Sequence, residues 1–367
     1  MLRLLVMELQ SLAGSPLFWL LTAVVVGAAL MLFFFSTDAR LRRRLGRLRR
    51  QAGDIRLPAD GLTGSPGPVR RAAERALAEF DAGKPYDAAG LFERAAGQAQ
   101  GQVRAELMNL AAVCHHVGNR LEPAAERYER AAALAVEAGA KQVGAAGYAN
   151  LALLRLAQAE PELARAALEQ ALTLDRESGN QVQAAVGLGR LGLVFQARGE
   201  TARALDLHLE ALAINEALDN RRGIAYDLGR IGLAYQAHGE QAQALEYYAR
   251  GLAAARKAGD RVTAGEFLGN IGLLQFERGE SEAALGSLLG ALALFGEMRD
   301  TARAVNTVKG LKLVRERLGA DAFAAGCRRF GLKPPELARL AGLLERISGE
   351  DAPGPVAGKP ARPTGSG

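Results

Sequence analysis

Cysteine is nearly missing from this chain: Cys114 and Cys327 are the only two in 367 residues, with no CxxC spacing. That excludes a disulfide framework and a zinc knuckle. Cys114 falls on the apolar face of a helical pattern and reads as a small hydrophobe. His115 and His116 stand in tandem but point about 100° apart on a helix and have no third ligand, so no metal site is expected. Aromatic residues make up only 5% of the chain, and β-branched residues are sparse beside Ala, Leu, Gly, Arg and Glu. Such a composition favours helix over sheet and predicts an all-α fold.

Catalytic motifs are lacking as well. The sequence contains no GxxxxGK[ST], no HExxH, no GxSxG and no acidic metal cluster, so no enzyme activity and no cofactor are expected. "GLGRLG" lies inside a helical pattern with no strand before it, which rules out a dinucleotide fingerprint.

The formal charge of +6 is local. Residues 1–56 hold nine arginines against Glu8, Asp38 and Asp54; the totals of 46 basic and 40 acidic residues then leave 37 of each for the remainder. A neutral body lacks the basic face that nucleic-acid binding requires.

Residues 16–36, "PLFWLLTAVVVGAALMLFFFS", carry no charge and are long enough to span the roughly 30 Å hydrocarbon layer as one transmembrane helix. A short segment, 1–15, precedes it. Seven arginines follow directly: Arg40, Arg42, Arg43, Arg44, Arg47, Arg49 and Arg50. By the positive-inside rule they hold the downstream chain in the cytoplasm and the N-terminus outside, and they suit anionic lipid headgroups at the membrane interface. Residues 37–66 form this Arg-rich juxtamembrane segment and a Gly/Pro linker, and 349–367 read as a disordered tail. Arginine outnumbers lysine 39 to 7, which fits a GC-rich bacterial genome and hence a bacterial inner membrane.

The body of the chain is a repeat. "GRLGLVFQARGE" at 189, "GRIGLAYQAHGE" at 229 and "GNIGLLQFERGE" at 269 recur every forty residues. Each phrase ends in a glycine suited to closing a helix, namely Gly118, Gly199, Gly239, Gly279 and Gly319 across the series. An amphipathic run follows each one, so the unit is a helical hairpin. Polar joints, "ESGNQ", "LDNRR", "AGDRV" and "MRDTA", supply Asn, Asp and Gly to close one helix and cap the next.

These residues resemble the tetratricopeptide repeat. Leu188, Leu191, Gly192, Phe195, Ala204, His208 and Ala211 carry its pattern, and Leu228, Ile231, Gly232, Tyr235, Ala244, Tyr248 and Gly251 carry it again. The forty-residue period resembles the longer-helix subclass, and the usual Pro near the end of each unit is absent. The resemblance implies a right-handed solenoid of about seven hairpins over 67–331, closed by a capping helix at 332–348. Gly192, Gly232 and Gly272 are expected to let the partner helix approach through Ala204, Ala244 and Ala284.

First helices line the concave side in this family, which points to a column two residues before each packing Gly or Ala: Asn109, Asn150, Arg190, Arg230 and Asn270. In co-chaperones with this repeat, Asn and Arg in matching places grip a peptide's terminal carboxylates; the accompanying lysines are missing here. The column therefore suggests a protein or peptide partner, acidic or carboxylate-bearing, with Arg190 lacking a carboxylate on its own helix. The expected function is a membrane-tethered cytoplasmic scaffold or adaptor. A self-assembling homo-oligomeric scaffold and a regulatory subunit contacting a membrane complex through the transmembrane helix are the alternatives.

Overall fold

The computed structural model describes Arg56 and residues 67–346. The apolar stretch 16–36, the arginines from Arg40 to Arg50 and the tail 349–367 lie outside the described residues. Among the described residues, no helix is long and apolar enough to cross a membrane.

Those residues form fifteen α-helices. They fall into two compact units, divided between Glu160 and Pro161. The first unit holds α1 (Gly67–Asp81), α2 (Pro85–Gly97), α3 (Gly101–Val117), α4 (Leu121–Glu137) and α5 (Lys141–Ala157). Its core gathers Leu77, Phe92, Leu107, Leu110, Tyr128 and Leu154.

The second unit begins with α6 (Pro161–Glu177), α7 (Gln181–Ala197), α8 (Thr201–Ala217), α9 (Arg221–Ala237) and α10 (Gln241–Lys257). It continues with α11 (Arg261–Glu277), α12 (Ser281–Glu297), α13 (Thr301–Leu318), α14 (Ala320–Arg329) and α15 (Pro334–Arg346). Leu228, Ile231, Tyr248, Phe267, Leu288 and Leu311 sit in its cores.

Helices α3 to α12 are all seventeen residues long and are separated by three residues each. The middle residue of every joint has positive φ: Asn119, Gly139, Ala159, Gly179, Gly199, Asp219, Gly239, Gly259, Gly279 and Arg299. The backbone thus repeats every twenty residues, although the sequence phrase returns only every forty. Both kinds of joint use one geometry. In the first, Arg120 N–H donates to the His115 carbonyl at 2.9 Å and Asn119 N–H to that of His116 at 3.0 Å, the paired closure that a left-handed residue makes at a helix end.

Gly118 is therefore not the left-handed stop that the sequence suggests. Its φ is −76°, and Asn119 turns the chain instead. Glycine is needed at 118 because a Cβ there would lie 2.6 Å from the Tyr86 ring, whose hydroxyl donates to the Gly118 carbonyl.

The polar joints cap as expected. Asn180, Asn220, Asp260 and Asp300 each accept the backbone N–H three residues on, at 3.4, 3.3, 3.1 and 3.1 Å. Each satisfies one orphan donor of α7, α9, α11 or α13, a contact worth about 1 kcal/mol.

The packing glycines serve a different neighbour from the one expected. A Cβ on Gly192 would fall 2.6 Å from His208 Nε2, on Gly232 2.5 Å from Tyr248 Cε1, and on Gly272 2.7 Å from Leu288 Cγ. Ala204, Ala244 and Ala284 are indeed fully buried, but the space each glycine vacates is filled by the bulky residue one turn beyond.

That substitution of roles leaves one defect. Tyr248 donates its hydroxyl to Gln236 Oε1 at 2.8 Å, and Ser287 to Gln275 Oε1 at 2.8 Å, each reaching back twelve residues. His208 stands twelve residues after Gln196 yet both its ring nitrogens are buried without a partner. His208→Tyr should supply the hydroxyl that bonds Gln196 and remove two unsatisfied nitrogens, a gain of about 1–3 kcal/mol. Chemical denaturation at neutral pH checks this; a variant no more stable than the parent would show that the Gly192 site differs from its Gly232 counterpart.

Candidate functional site

Of the five column residues, two belong to the first unit and three to the second. Asn109 on α3 and Asn150 on α5 are 0% exposed, so they are core amides rather than exposed polar groups. Asn150 Nδ2 donates to Asn109 Oδ1 at 3.3 Å, and Asn150 also meets the backbone of Arg56.

The same unit holds a second polar group, half-buried. Glu93 on α2 accepts from Arg127 on α4 and lies 3.4 Å from His115 Nε2. Although burial opposes ionisation, the bonds and charges of Arg127 and His115 hold the Glu93 carboxyl below its usual range. His116 turns the other way, with Nδ1 3.3 Å from the Tyr128 hydroxyl. The two histidines do not converge, and no cluster of three His, Cys, Asp or Glu able to hold a metal occurs among the described residues. Cys114 is fully buried, and desolvation pushes its thiol far up.

In the second unit, Arg190 on α7 and Arg230 on α9 are half-buried and Asn270 on α11 is buried. The Arg230 guanidinium lies 5.0 Å from the Tyr226 ring centre. Neither arginine is free, since each takes part in an interaction. This corrects the expectation that Arg190, lacking a carboxylate on its own helix, would stand unengaged. Spacing along one helix does not show which interactions the folded chain makes.

Two carboxylates that the column omitted are buried on the same first helices. Asp227 is 2% exposed and accepts from Asn215 Nδ2 on α8 at 2.7 Å. Burial raises it to about 7, against the pull of Asn215 and Arg230. Glu266 on α11 accepts from Arg303 Nε on α13 at 2.7 Å, and burial again raises it. Arg303 is shared with its own N-cap, Asp300, at 2.6 Å. Asp227 was visible in the sequence only as a neighbour one turn before Arg230. Its burial under α8 depends on Gly223, where a Cβ would lie 2.4 Å from the Asn215 side chain.

The arrangement offers buried amides and charges on first helices. Comparison with known proteins agrees with the repeat reading. A tetratricopeptide-repeat family model matches residues 183–257. No curated protein sequence matches the chain.

Several solved structures share the fold. BtubC (BKLC) from P. vanneervenii is 20% identical, over 65% of this chain and 93% of that one, with a TM-score of 0.50. The apo form of RapI is 15% identical, over 76% and 100%, at 0.53. A signal-transduction ATPase with numerous domains and a tetratricopeptide-repeat sensor, from Pyrococcus horikoshii, is 15% identical, over 75% and 41%, at 0.55. At these identities the likeness establishes the fold alone: an all-α, tetratricopeptide-like helical repeat.

Proposed function

We propose that this chain is a scaffold that binds a protein partner through the first helices of its repeats, tethered by residues 16–36 to a bacterial inner membrane with the repeats in the cytoplasm. The observation that carries this reading is the recurrence of polar side chains at one first-helix position: Asn109 and Asn150 in one unit, Arg190, Arg230 and Asn270 in the other. Amides and arginines held by packing are donors in fixed places, suited to carbonyls and carboxylates of a partner. The neighbouring arginines from Arg40 to Arg50 would keep such a complex at an anionic bilayer surface.

A photo-crosslinking residue at Val186, exposed on α7 one turn before Arg190, tests it in whole cells. It should yield a discrete crosslinked product that sediments with membranes, whereas the same residue at Leu209, exposed on α8, should not. A product containing two copies of this chain would favour self-assembly. Equal products at both positions, or a soluble one, would count against the reading.

A further inference from the structure

Arg56 is described eleven residues before α1 begins, and it meets a residue 94 positions away. Its backbone N–H donates to Asn150 Oδ1 at 2.7 Å, and its carbonyl accepts from Asn150 Nδ2 at 2.8 Å. A single carboxamide thus satisfies both main-chain groups of one residue, as a neighbouring strand would in a ladder. The remaining Nδ2 proton goes to Asn109 Oδ1 at 3.3 Å, which fixes the orientation of the amide.

Burial makes this arrangement consequential. With Asn150 0% exposed, losing Arg56 without replacement would strand a buried amide oxygen and a buried N–H. Asn109 Nδ2 is also buried, and it has no partner. Arg56 therefore uses only part of the donors held here; a further carbonyl of an extended segment would satisfy the rest.

We propose that Asn109 and Asn150 form a main-chain-binding site for an extended polypeptide segment, filled in the resting chain by Arg56 of the same molecule and opened when a partner's segment takes its place. The two bonds made by Asn150 use only N–H and C=O, so any residue except proline can make them at the contacted position. An occupant tethered so closely acts at an effective concentration of about millimolar, so a weak free segment is excluded while a strong one displaces it. This rests on the partner-binding reading above and specifies its mode for the first unit: recognition of backbone rather than of a terminal carboxylate.

Two measurements on the full chain in detergent test it. Trypsin cuts the Arg56–Leu57 bond only when the Arg56 backbone is free to enter the protease. Asn150→Ala should speed that cut at least tenfold, with cleavage after Arg346, exposed at the end of α15, unchanged. Because Asn150→Ala removes a buried amide, Arg56→Pro provides a second route: it lies outside every described helix and deletes the N–H donor.

A fluorescent peptide copying residues 51–61 should bind the Arg56→Pro chain at least tenfold more tightly than the parent, and adding Asn109→Ala to Arg56→Pro should reverse much of that gain. Unchanged cleavage in a helical Asn150→Ala protein, or no gain in peptide binding by Arg56→Pro, overturns the proposal. Persistence of the crosslink at 186 in that case would leave the scaffold reading standing. Peptide binding without any crosslinked partner would do the reverse.

Discussion

Gly232→Leu is expected to lower the melting temperature of the full chain by roughly 6–12 °C, the shift that about 3 kcal/mol produces in a unit of this size. Even a Cβ at 232 would lie 2.5 and 2.6 Å from Tyr248 Cε1 and Cδ1, well inside contact distance. The ring cannot swing aside, because Tyr248 is 0% exposed, its hydroxyl is bound to Gln236, and its ring centre is 6.2 Å from that of Phe267 on the next hairpin. Leucine therefore has to separate α9 from α10, an overpacking cost at the upper end of the usual 1–3 kcal/mol or beyond.

Gly232→Ala should lose much less. It gains about 1 kcal/mol of helix propensity, and in the first unit Ala111 occupies the corresponding position near the buried Tyr128. Differential scanning calorimetry of the two variants distinguishes these cases. A leucine variant that melts with the parent would mean that the glycine and the tyrosine do not face each other.

Asp227→Asn should make the protein more stable at pH 8 while leaving it nearly unchanged at pH 4. The carboxyl has an ordinary value of 3.8 and is raised to about 7 by burial. In the unfolded chain it ionises near pH 4, whereas the folded chain retains the proton until near neutrality. Stability contributed by this group is therefore full below about pH 4 and lost as the pH rises through 7.

A rise from 3.8 to about 7 corresponds to a penalty on the order of 4 kcal/mol at pH 8. Asparagine cannot ionise, and its oxygen still accepts from Asn215, so the variant escapes the loss. His208 acts in the opposite direction: burial lowers it from 6.5 to about 4, so its contribution is present above 6.5 and disappears as the pH falls through 4. In the parent the two slopes oppose each other. Urea titrations of Asp227→Asn should accordingly show stability declining on acidification below pH 6.5. A variant weaker than the parent at pH 8 would instead show that Asp227 is charged and held by a cation.

Local rules made part of this molecule legible from its sequence. The helical class and the forty-residue spacing follow from composition and periodicity. The caps at Asn180, Asn220, Asp260 and Asp300 follow because each bond spans three residues, and the left-handed turns at Gly199, Gly239, Gly279 and Gly319 follow from the absence of a Cβ. At Ala159 and Arg299 the same turn was not visible, because tertiary packing of seventeen-residue helices imposes it on residues that do not prefer it.

What occupies the space beside Gly192, Gly232 and Gly272 was settled only by the folded chain, since sequence spacing cannot say whether Ala204 or His208 faces the glycine. For the column, residue types were visible but states were not. Asn109 and Asn150 are buried, Arg190 takes part in an interaction, and Asp227 is desolvated beside Asn215 of α8. The pairing of Asn150 with Arg56 joins residues 94 positions apart. No local propensity encodes it: it exists because an amide sealed inside the first unit must find its hydrogen bonds there, and the backbone of Arg56 provides them.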